Sequence, residues 1–156
     1  MKDLHEVDFE HSVLDKIILY CVQHISLEDL EPLKNSSIYK RITSVKIQGN
    51  QDVAVMVVLF SLLSNNGTVS SRVHSVDIKS SYPSKWMEHV KNIGSGLYEL
   101  SIKDVFTEIT ILKTITEYCP NLKHLTLRNL IHMPGNCMQD IANTCPHLIS
   151  LDLYII

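Results

Sequence analysis

Residues 122–129 read Leu-Lys-His-Leu-Thr-Leu-Arg-Asn, and they place leucines at 122, 125 and 127 in the pattern Leu-x-x-Leu-x-Leu. The same pattern returns at 148, 151 and 153. Three looser copies contain valine or isoleucine, and they are Leu97-Leu100-Ile102, Val73-Val76-Ile78 and Ile42-Val45-Ile47. The central residues of the five copies lie at positions 45, 76, 100, 125 and 151, so the steps are nearly equal after a longer first one. A motif that recurs at such a period indicates a chain built from repeated structural units.

The similarity between the last two copies extends beyond the leucines. Leu112, Ile115 and Cys119 have the i, i+3, i+7 spacing of one helix face. The shift that carries Leu122 onto Leu148 also carries them onto Met138, Ile141 and Cys145. Each unit is therefore predicted to be a strand and a returning helix, with successive strands pairing in parallel. The expected fold is α/β, a leucine-rich-repeat solenoid of about five strand–helix units around a parallel sheet.

The amino-terminal part of the chain has a different pattern. Residues 1–9 are charged and expected to be loose, and residues 10–41 show two helical patterns and no repeat strand. The first helix is predicted from Ser12 to Ile25, and the second is a broken segment that runs to about Ile42 and contains Pro32. We therefore expect a helical cap over residues 10–41 and the repeats over residues 42–156.

The last predicted strand is followed by no polar capping element in the sequence. A terminal repeat normally has one, because its strand otherwise exposes unpaired backbone groups and apolar side chains. The sequence therefore favours a product or gene model truncated from a longer protein, or an end that pairs with another chain.

The composition limits the kinds of partner. At 156 residues the chain has the length of one domain, and 45% of its residues are hydrophobic. Its 14 basic and 17 acidic residues leave a net charge of −3, so it lacks the excess of basic residues that is typical of nucleic-acid binding. The longest apolar run, residues 53–63, is about half a membrane span, and no signal-peptide pattern is present. We therefore expect a cytoplasmic or nuclear protein with no membrane or nucleic-acid partner.

Residues that could carry catalysis or bind a metal form no recognisable motif. The four cysteines, Cys21, Cys119, Cys137 and Cys145, contain no Cys-x-x-Cys pair, and no His-Glu-x-x-His pattern occurs. Cys119 and Cys145 share one repeat position, which favours small apolar side chains stacked at the helix ends. The sequence therefore predicts a binding protein rather than an enzyme, with no metal and no cofactor.

The residues between the core leucines predict where a partner binds. Alternate residues of a strand face opposite sides of the sheet, so these residues are expected together on an exposed, concave face. The partner-binding residues predicted there are Lys46, Asp77, Lys79, Glu99, Lys103, His124, Arg128, Asp152 and Tyr154. Because Lys79, Lys103 and Arg128 align in one row, we expect the face to bind a protein segment with acidic groups opposite that row. The alternative is an ordinary solvated polar face.

The units Cys-Pro-Asn-Leu-Lys-His-Leu-Thr-Leu (119–127) and Cys-Pro-His-Leu-Ile-Ser-Leu-Asp-Leu (145–153) resemble the cysteine-containing repeats of F-box/leucine-rich-repeat proteins. The resemblance covers about residues 42–156 and is strongest over residues 112–153. It implies that the repeats recognise the protein substrate of a cullin–RING ubiquitin ligase. It also implies that an amino-terminal helical box docks this receptor onto its adaptor.

Residues 10–41 resemble two types of docking box in part. Residues 25–30, Ile-Ser-Leu-Glu-Asp-Leu, are similar to the end of an F-box, which binds a Skp-type adaptor, although the Leu-Pro start is absent. Residues 12–42 are similar to the elongin-binding and cullin boxes of antagonist-of-mitotic-exit-network-type receptors, which bind elongin B and C and a cullin, although Lys34 replaces a proline. The adaptor-binding residues implied are Val13, Ile17, Cys21, Ile25, Leu30 and Leu33. The alternatives are a plain repeat scaffold, whose helices only shield the first repeat, and a fragment of a longer receptor.

Overall fold

A computed structural model describes residues 16–20, 28–35, 38–48, 53–64, 72–79, 87–103, 109–130, 133 and 135–155. Its strands are β1 (Lys16–Tyr20), β2 (Ser44–Gln48), β3 (Ser75–Lys79), β4 (Glu99–Lys103), β5 (His124–Leu130) and β6 (Ser150–Ile155). Its α-helices are α1 (Glu31–Asn35), α2 (Val53–Leu63), α3 (Ile109–Tyr118) and α4 (Cys137–Thr144). Short 3₁₀ helices lie at Glu28–Leu30, Ile38–Arg41, Glu88–Asn92 and Gly94–Gly96.

The six strands form one parallel sheet in the order in which they occur along the chain. The α/β class and the parallel pairing predicted from the sequence are therefore confirmed. The central residues of the repeated motif lie directly opposite one another: Val45 pairs with Val76, Val76 with Leu100, Leu100 with Leu125, and Leu125 with Leu151. Because strand neighbours share this register, equivalent positions of successive motifs line up in rows across the sheet.

Strand β1 corrects the prediction for the amino-terminal part. The predicted helix from Ser12 to Ile25 is wrong at residues 16–20, which form a strand that pairs in parallel with β2 and places Ile17 opposite Val45. Among the described residues, the sheet therefore begins at β1 rather than at Ile42. The sequence did carry the signal, because Leu14, Ile17 and Leu19 repeat the Leu-x-x-Leu-x-Leu spacing one period before the next copy. Adjacent β-branched Ile17 and Ile18 also favour a strand over a helix.

The second amino-terminal segment is helical, as predicted. Glu28–Leu30, Glu31–Asn35 and Ile38–Arg41 each form a short turn of helix. Pro32 occupies the second residue of α1, within the first turn, where the missing N–H breaks no intrahelical hydrogen bond. Of the residues implied to bind an adaptor, Val13, Cys21 and Ile25 lie outside the described residues.

The hydrophobic core lies between one face of the sheet and the connecting segments. The strand positions alternate between buried and partly exposed, so that Val45, Ile47, Val76 and Ile78 are all at most 1% exposed. Helix α2 packs Met56, Leu59, Phe60 and Leu63 into the same core. Burying one such side chain stabilises the fold by about 1.5–3 kcal/mol. Among the described helices, none has the length and apolarity to cross a bilayer.

The last helix, α4, differs from the prediction by one position, whereas α3 does not. Leu112 and Ile115 of α3 are buried as expected, but Met138 of α4 is 50% exposed. The buried side chains of α4 are Cys137 and Ile141. An apolar helix face is about 100° wide, so an i, i+3, i+4 pattern does not decide which of two neighbouring residues points into the core. In α4 that residue is Cys137 rather than Met138.

Candidate protein-binding face

The exposed side of the sheet carries the residues that the sequence predicted there. We define the polar face as the alternate residues of β2 to β6 that point away from the core. They are Ser44, Lys46 and Gln48; Ser75, Asp77 and Lys79; Glu99, Ser101 and Lys103; His124, Thr126 and Arg128; and Ser150, Asp152 and Tyr154. None of these side chains is fully buried. The strand register pairs Gln48 with Lys79, Lys79 with Lys103, and Arg128 with Tyr154. Between β4 and β5 the last registered pair is Ile102 with Leu127, and Lys103 and Arg128 each follow that pair by one residue. We call Lys79, Lys103 and Arg128 the basic row.

Two lysines of the polar face are held by one carboxylate. The Lys103 Nζ lies 3.0 Å from Asp77 Oδ1, and the Lys46 Nζ lies 3.6 Å from Asp77 Oδ2. Burial would raise the pKa of Asp77, but the hydrogen bond and charge of Lys103, with smaller contributions from Ser101 and Lys46, outweigh burial and hold the pKa below its ordinary value. Asp77 is therefore a carboxylate at neutral pH and partly neutralises the basic row.

Ser101 lies beside this ion cluster and lacks a hydrogen-bond partner. Its backbone is opposite Asp77 on one side and Thr126 on the other. Its Oγ atom is buried, and none of the described donors or acceptors meets it with hydrogen-bond geometry. Ser101 pairs across the strands with Asp77, and its hydroxyl contributes to lowering the pKa of that carboxyl, so the two side chains are neighbours although their geometry falls outside that of a hydrogen bond.

The ion cluster borders a depression of about 300 Å³ in the polar face. It is lined by Ser44, Lys46, Ser75, Val76, Asp77, Glu99, Leu100, Ser101, Lys103, His124 and Thr126. The lining combines small hydroxyl side chains with charged ones. The depression is open, and its shape suits a segment that lies across the strands rather than a small molecule enclosed by walls.

The end of the basic row is ordered by an aromatic ring. The Arg128 guanidinium carbon lies 4.6 Å from the centroid of the Tyr154 ring, in a cation–π contact. Both side chains are exposed, and Tyr154 is 53% exposed. Such a contact restricts the rotamers of the arginine and lowers the entropy cost of binding an anion.

A second row of side chains, which the sequence analysis missed, precedes the strands. The His74 and Tyr98 rings stack with centroids 4.9 Å apart and an angle of 12° between their planes, and Lys123 Nζ lies 4.9 Å from the Tyr98 centroid. His74, Tyr98 and Lys123 each come one position before a strand, so neighbouring members of this row lie about one strand spacing apart. The backbone ladder continues through them, from Tyr98 N–H to the His74 carbonyl and from Lys123 N–H to the Tyr98 carbonyl. The recurrence of large side chains at this position was the available signal.

The residues implied to bind an adaptor do not form one helical surface. Ile17 belongs to strand β1, and Leu30 is buried with 2% of its surface exposed, so its side chain is inaccessible to a partner. Leu33 lies in α1. The docking-box interpretation of a continuous helix through Ile17, Cys21 and Ile25 is therefore wrong at Ile17, since β1 is extended.

The buried cysteines have a packing role. Cys145 Sγ lies 3.5 Å from the Cys119 carbonyl oxygen, to which its thiol donates, and both side chains are buried. Burial, with a smaller contribution from Cys145, raises the pKa of the Cys119 thiol to about 12. Within the described ranges, no group of three or more His, Cys, Asp or Glu side chains is arranged to hold a metal ion.

Comparison with known proteins gives a narrow result. No protein-family model matches the chain. The chain is similar to the DNA repair protein rhp7 of Schizosaccharomyces pombe, with 30% identity over 71 residues. The matched region is 45% of this chain and 12% of that protein, so the chain spans about an eighth of the length of this relative.

Proposed function

We propose that the chain is a leucine-rich-repeat module that recognises a protein segment on the polar face of its sheet. The observation that carries the proposal is the basic row: the register pairs Lys79 with Lys103, and Arg128 follows Leu127, which pairs with Ile102 on the strand of Lys103. These residues come from three successive copies of the motif, so only a regular repeat places them side by side. A row of charges of one sign across a sheet is suited to a partner of the opposite charge.

The repeat architecture is supported by the spacing of the motif and by the packing of its cysteines. Each unit contributes one strand to the sheet, and equivalent apolar residues lie opposite one another in the core. Cys119 and Cys145 contact each other across one full repeat period of the chain. These contacts are those of units that stack because none can bury its own apolar face.

The proposed ligand is an extended segment with acidic side chains. Arg128, ordered over Tyr154, would make a charge-assisted hydrogen bond with a carboxylate, and Lys103 would contact a second one. The small hydroxyl side chains that line the depression leave room for a backbone to approach the sheet. Glu99 and His124, exposed at the amino-terminal ends of β4 and β5, would bound the ligand on the side away from Lys103.

The test is selection from a displayed library of random peptides on the immobilised chain. We expect the recovered peptides to be rich in Asp and Glu and to lose binding at least about tenfold to the variant Lys103→Glu Arg128→Glu. The matched control is Lys91→Glu Lys113→Glu, which makes the same change of charge at exposed helical residues. Recovered peptides without an acidic excess, or peptides that bind both double variants as well as the original chain, would overturn the proposal.

A narrower proposal is that this module is the substrate-recognition part of a cullin–RING ubiquitin ligase. The support for it is the resemblance of the Cys-Pro units, whose cysteines are buried and stacked. The alternative is a plain interaction scaffold with no ligase. We expect the purified chain to co-elute with a Skp-type adaptor or with elongin B and C in size-exclusion chromatography. If it elutes apart from both at micromolar concentration, the ligase proposal fails, and a plain scaffold or a fragment of a longer receptor is left.

A further inference from the structure

The central lysine of the basic row is already bound within the chain. Lys103 Nζ lies 3.0 Å from the Asp77 carboxylate, and the two side chains are 32% and 26% exposed. The second oxygen of the same carboxylate faces Lys46 at 3.6 Å. An acidic ligand that uses Lys103 must therefore draw its ammonium group away from Asp77. Asp77 would then lose its shortest ion pair in a place that is partly shielded from water.

The Ser101 hydroxyl is placed to compensate for that loss. Ser101 lies opposite Asp77 on the neighbouring strand and two residues before Lys103 on the same face. Its Oγ is shielded from water and has no hydrogen-bond partner. A buried hydroxyl without a partner is unusual in a native protein and calls for an explanation. Once Lys103 has left it, the Asp77 carboxylate would be an acceptor for the Ser101 hydroxyl.

We propose that Asp77 competes with the acidic ligand for Lys103, and that the Ser101 hydroxyl replaces Lys103 on the Asp77 carboxylate when the ligand binds. This inference rests on the proposed function, since it describes how the same face accepts an acidic segment. Ser101 acts through Asp77 and is a positioning residue that need not touch the ligand. Asp77 sets the specificity of the row, because a weakly acidic segment cannot displace it.

The consequences differ for the two residues. Asp77→Asn removes the competing charge while keeping the shape of the side chain, so an acidic peptide should bind about three to ten times more tightly. Ser101→Ala leaves Asp77 without a replacement donor in the complex, so the same peptide should bind about five times more weakly. In the Asp77→Asn background the effect of Ser101→Ala should fall below about twofold, because the charge that needed the donor is gone.

The experiment is a double-mutant cycle over Asp77 and Ser101, with fluorescein-labelled octaglutamate as the probe and fluorescence anisotropy as the measurement. Ser150→Ala is the matched control, since Ser150 belongs to the same face but does not line the depression. Urea unfolding of each free variant is the second measurement. We expect Ser101→Ala to leave the midpoint as close to the original chain as Ser150→Ala does, because the free hydroxyl has no partner to lose.

The outcomes separate the inference from the function on which it rests. If Asp77→Asn binds octaglutamate no more tightly than the original chain, or if the effect of Ser101→Ala is the same in both backgrounds, the exchange is wrong while the acidic-ligand proposal stands. If Ser101→Ala lowers the urea midpoint clearly more than Ser150→Ala, its hydroxyl has a partner in the free chain, and the exchange is again wrong. If octaglutamate binds neither the original chain nor any variant at low salt, the proposed ligand class fails and the exchange fails with it.

Discussion

Gly94 is a point where the close packing of the segment before β4 against the end of α3 allows no side chain, and its replacement by alanine tests the proposed stacking of repeat units. Gly94 is buried, and it precedes Leu100 by the same spacing by which Cys119 precedes Leu125. A Cβ atom at Gly94 would lie 2.5 Å from the Tyr118 carbonyl oxygen and 3.0 Å from Cys119 Sγ. An ordinary carbon–oxygen contact is about 3.3 Å or longer, so the two units must separate by about 0.8 Å at this place.

The expected loss of stability follows from the atom that blocks the methyl group. The Tyr118 carbonyl belongs to the end of α3, whose last turn is closed by the hydrogen bond from Cys119 N–H to the Ile115 carbonyl, so it cannot rotate away as a side chain would. Overpacking of this kind costs about 1–3 kcal/mol. The reduced entropy of the unfolded chain offsets about 0.4–1 kcal/mol of it. We therefore expect Gly94→Ala to lower the free energy of unfolding by about 1–2 kcal/mol.

Gly135→Ala is the matched control, because no atom lies within 4 Å of a Cβ at that position. Gly135→Ala should only reduce the conformational entropy of the unfolded chain, so the free energy of unfolding should be unchanged or slightly higher. For a domain of this size, 1 kcal/mol corresponds to a change of about 2–4 °C in Tm, so thermal unfolding followed by circular dichroism should separate the two variants by about 2–8 °C. Equal midpoints for Gly94→Ala and Gly135→Ala would refute the close stacking of the two units at Gly94.

Three further predictions concern the thiols, the basic row and the ion cluster. Cys119 and Cys145 should react with a thiol reagent at pH 8 at least about 100-fold more slowly in the folded chain than in urea, because burial raises the pKa of both thiols, to about 12 for Cys119; similar rates in the two states would contradict this. Tyr154→Ala should weaken acidic peptides about two- to fivefold while Tyr154→Phe binds normally, since only the ring face orders Arg128; equal losses in a binding titration would exclude that role. The pKa of Asp77 is lower in the folded chain than its ordinary value of 3.8, so its stabilising contribution is present above that value and is lost as the pH falls below it. The difference in unfolding free energy between the original chain and Asp77→Asn, under about 1 kcal/mol at pH 6, should therefore shrink by pH 2.5, and a constant difference in urea titrations would contradict the ion cluster.

The strands were predictable where the sequence encodes burial on alternate residues. Leu125 and Leu127 are separated by one polar residue and preceded by Leu122, and this order has one interpretation in a repeat. Residues 17–19 are apolar without interruption, and such a run fits a buried helix as well as a strand. In β1 the edge of β2 decides between them, because it offers hydrogen-bond partners in register from Lys16 to Tyr20.

The face of the sheet could be predicted from the sequence, but the pairing on it could not. Alternation assigns Asp77 and Lys103 to one side of their strands, and the structure places both there. Which charges meet depends on the register between strands that are a full motif period apart in the chain, and on the rotamers of long side chains. The same holds for His74 and Tyr98, whose rings meet only because each precedes its strand by one residue.

Under the proposed function, the strand register also sets the length of acidic segment that the basic row would accept. Neighbouring strands are about 4.8 Å apart, so the row from Lys79 through Lys103 to Arg128 spans about 10 Å. In an extended segment, residues that face the same side lie about 6.7 Å apart, so two carboxylates separated by one residue fill the row. The first can meet Arg128 at the end ordered by Tyr154, whereas the second reaches Lys103, which Asp77 holds. Under the proposed function, recognition on this face would depend on the second acidic residue of the ligand, because only that contact requires the ion cluster to open.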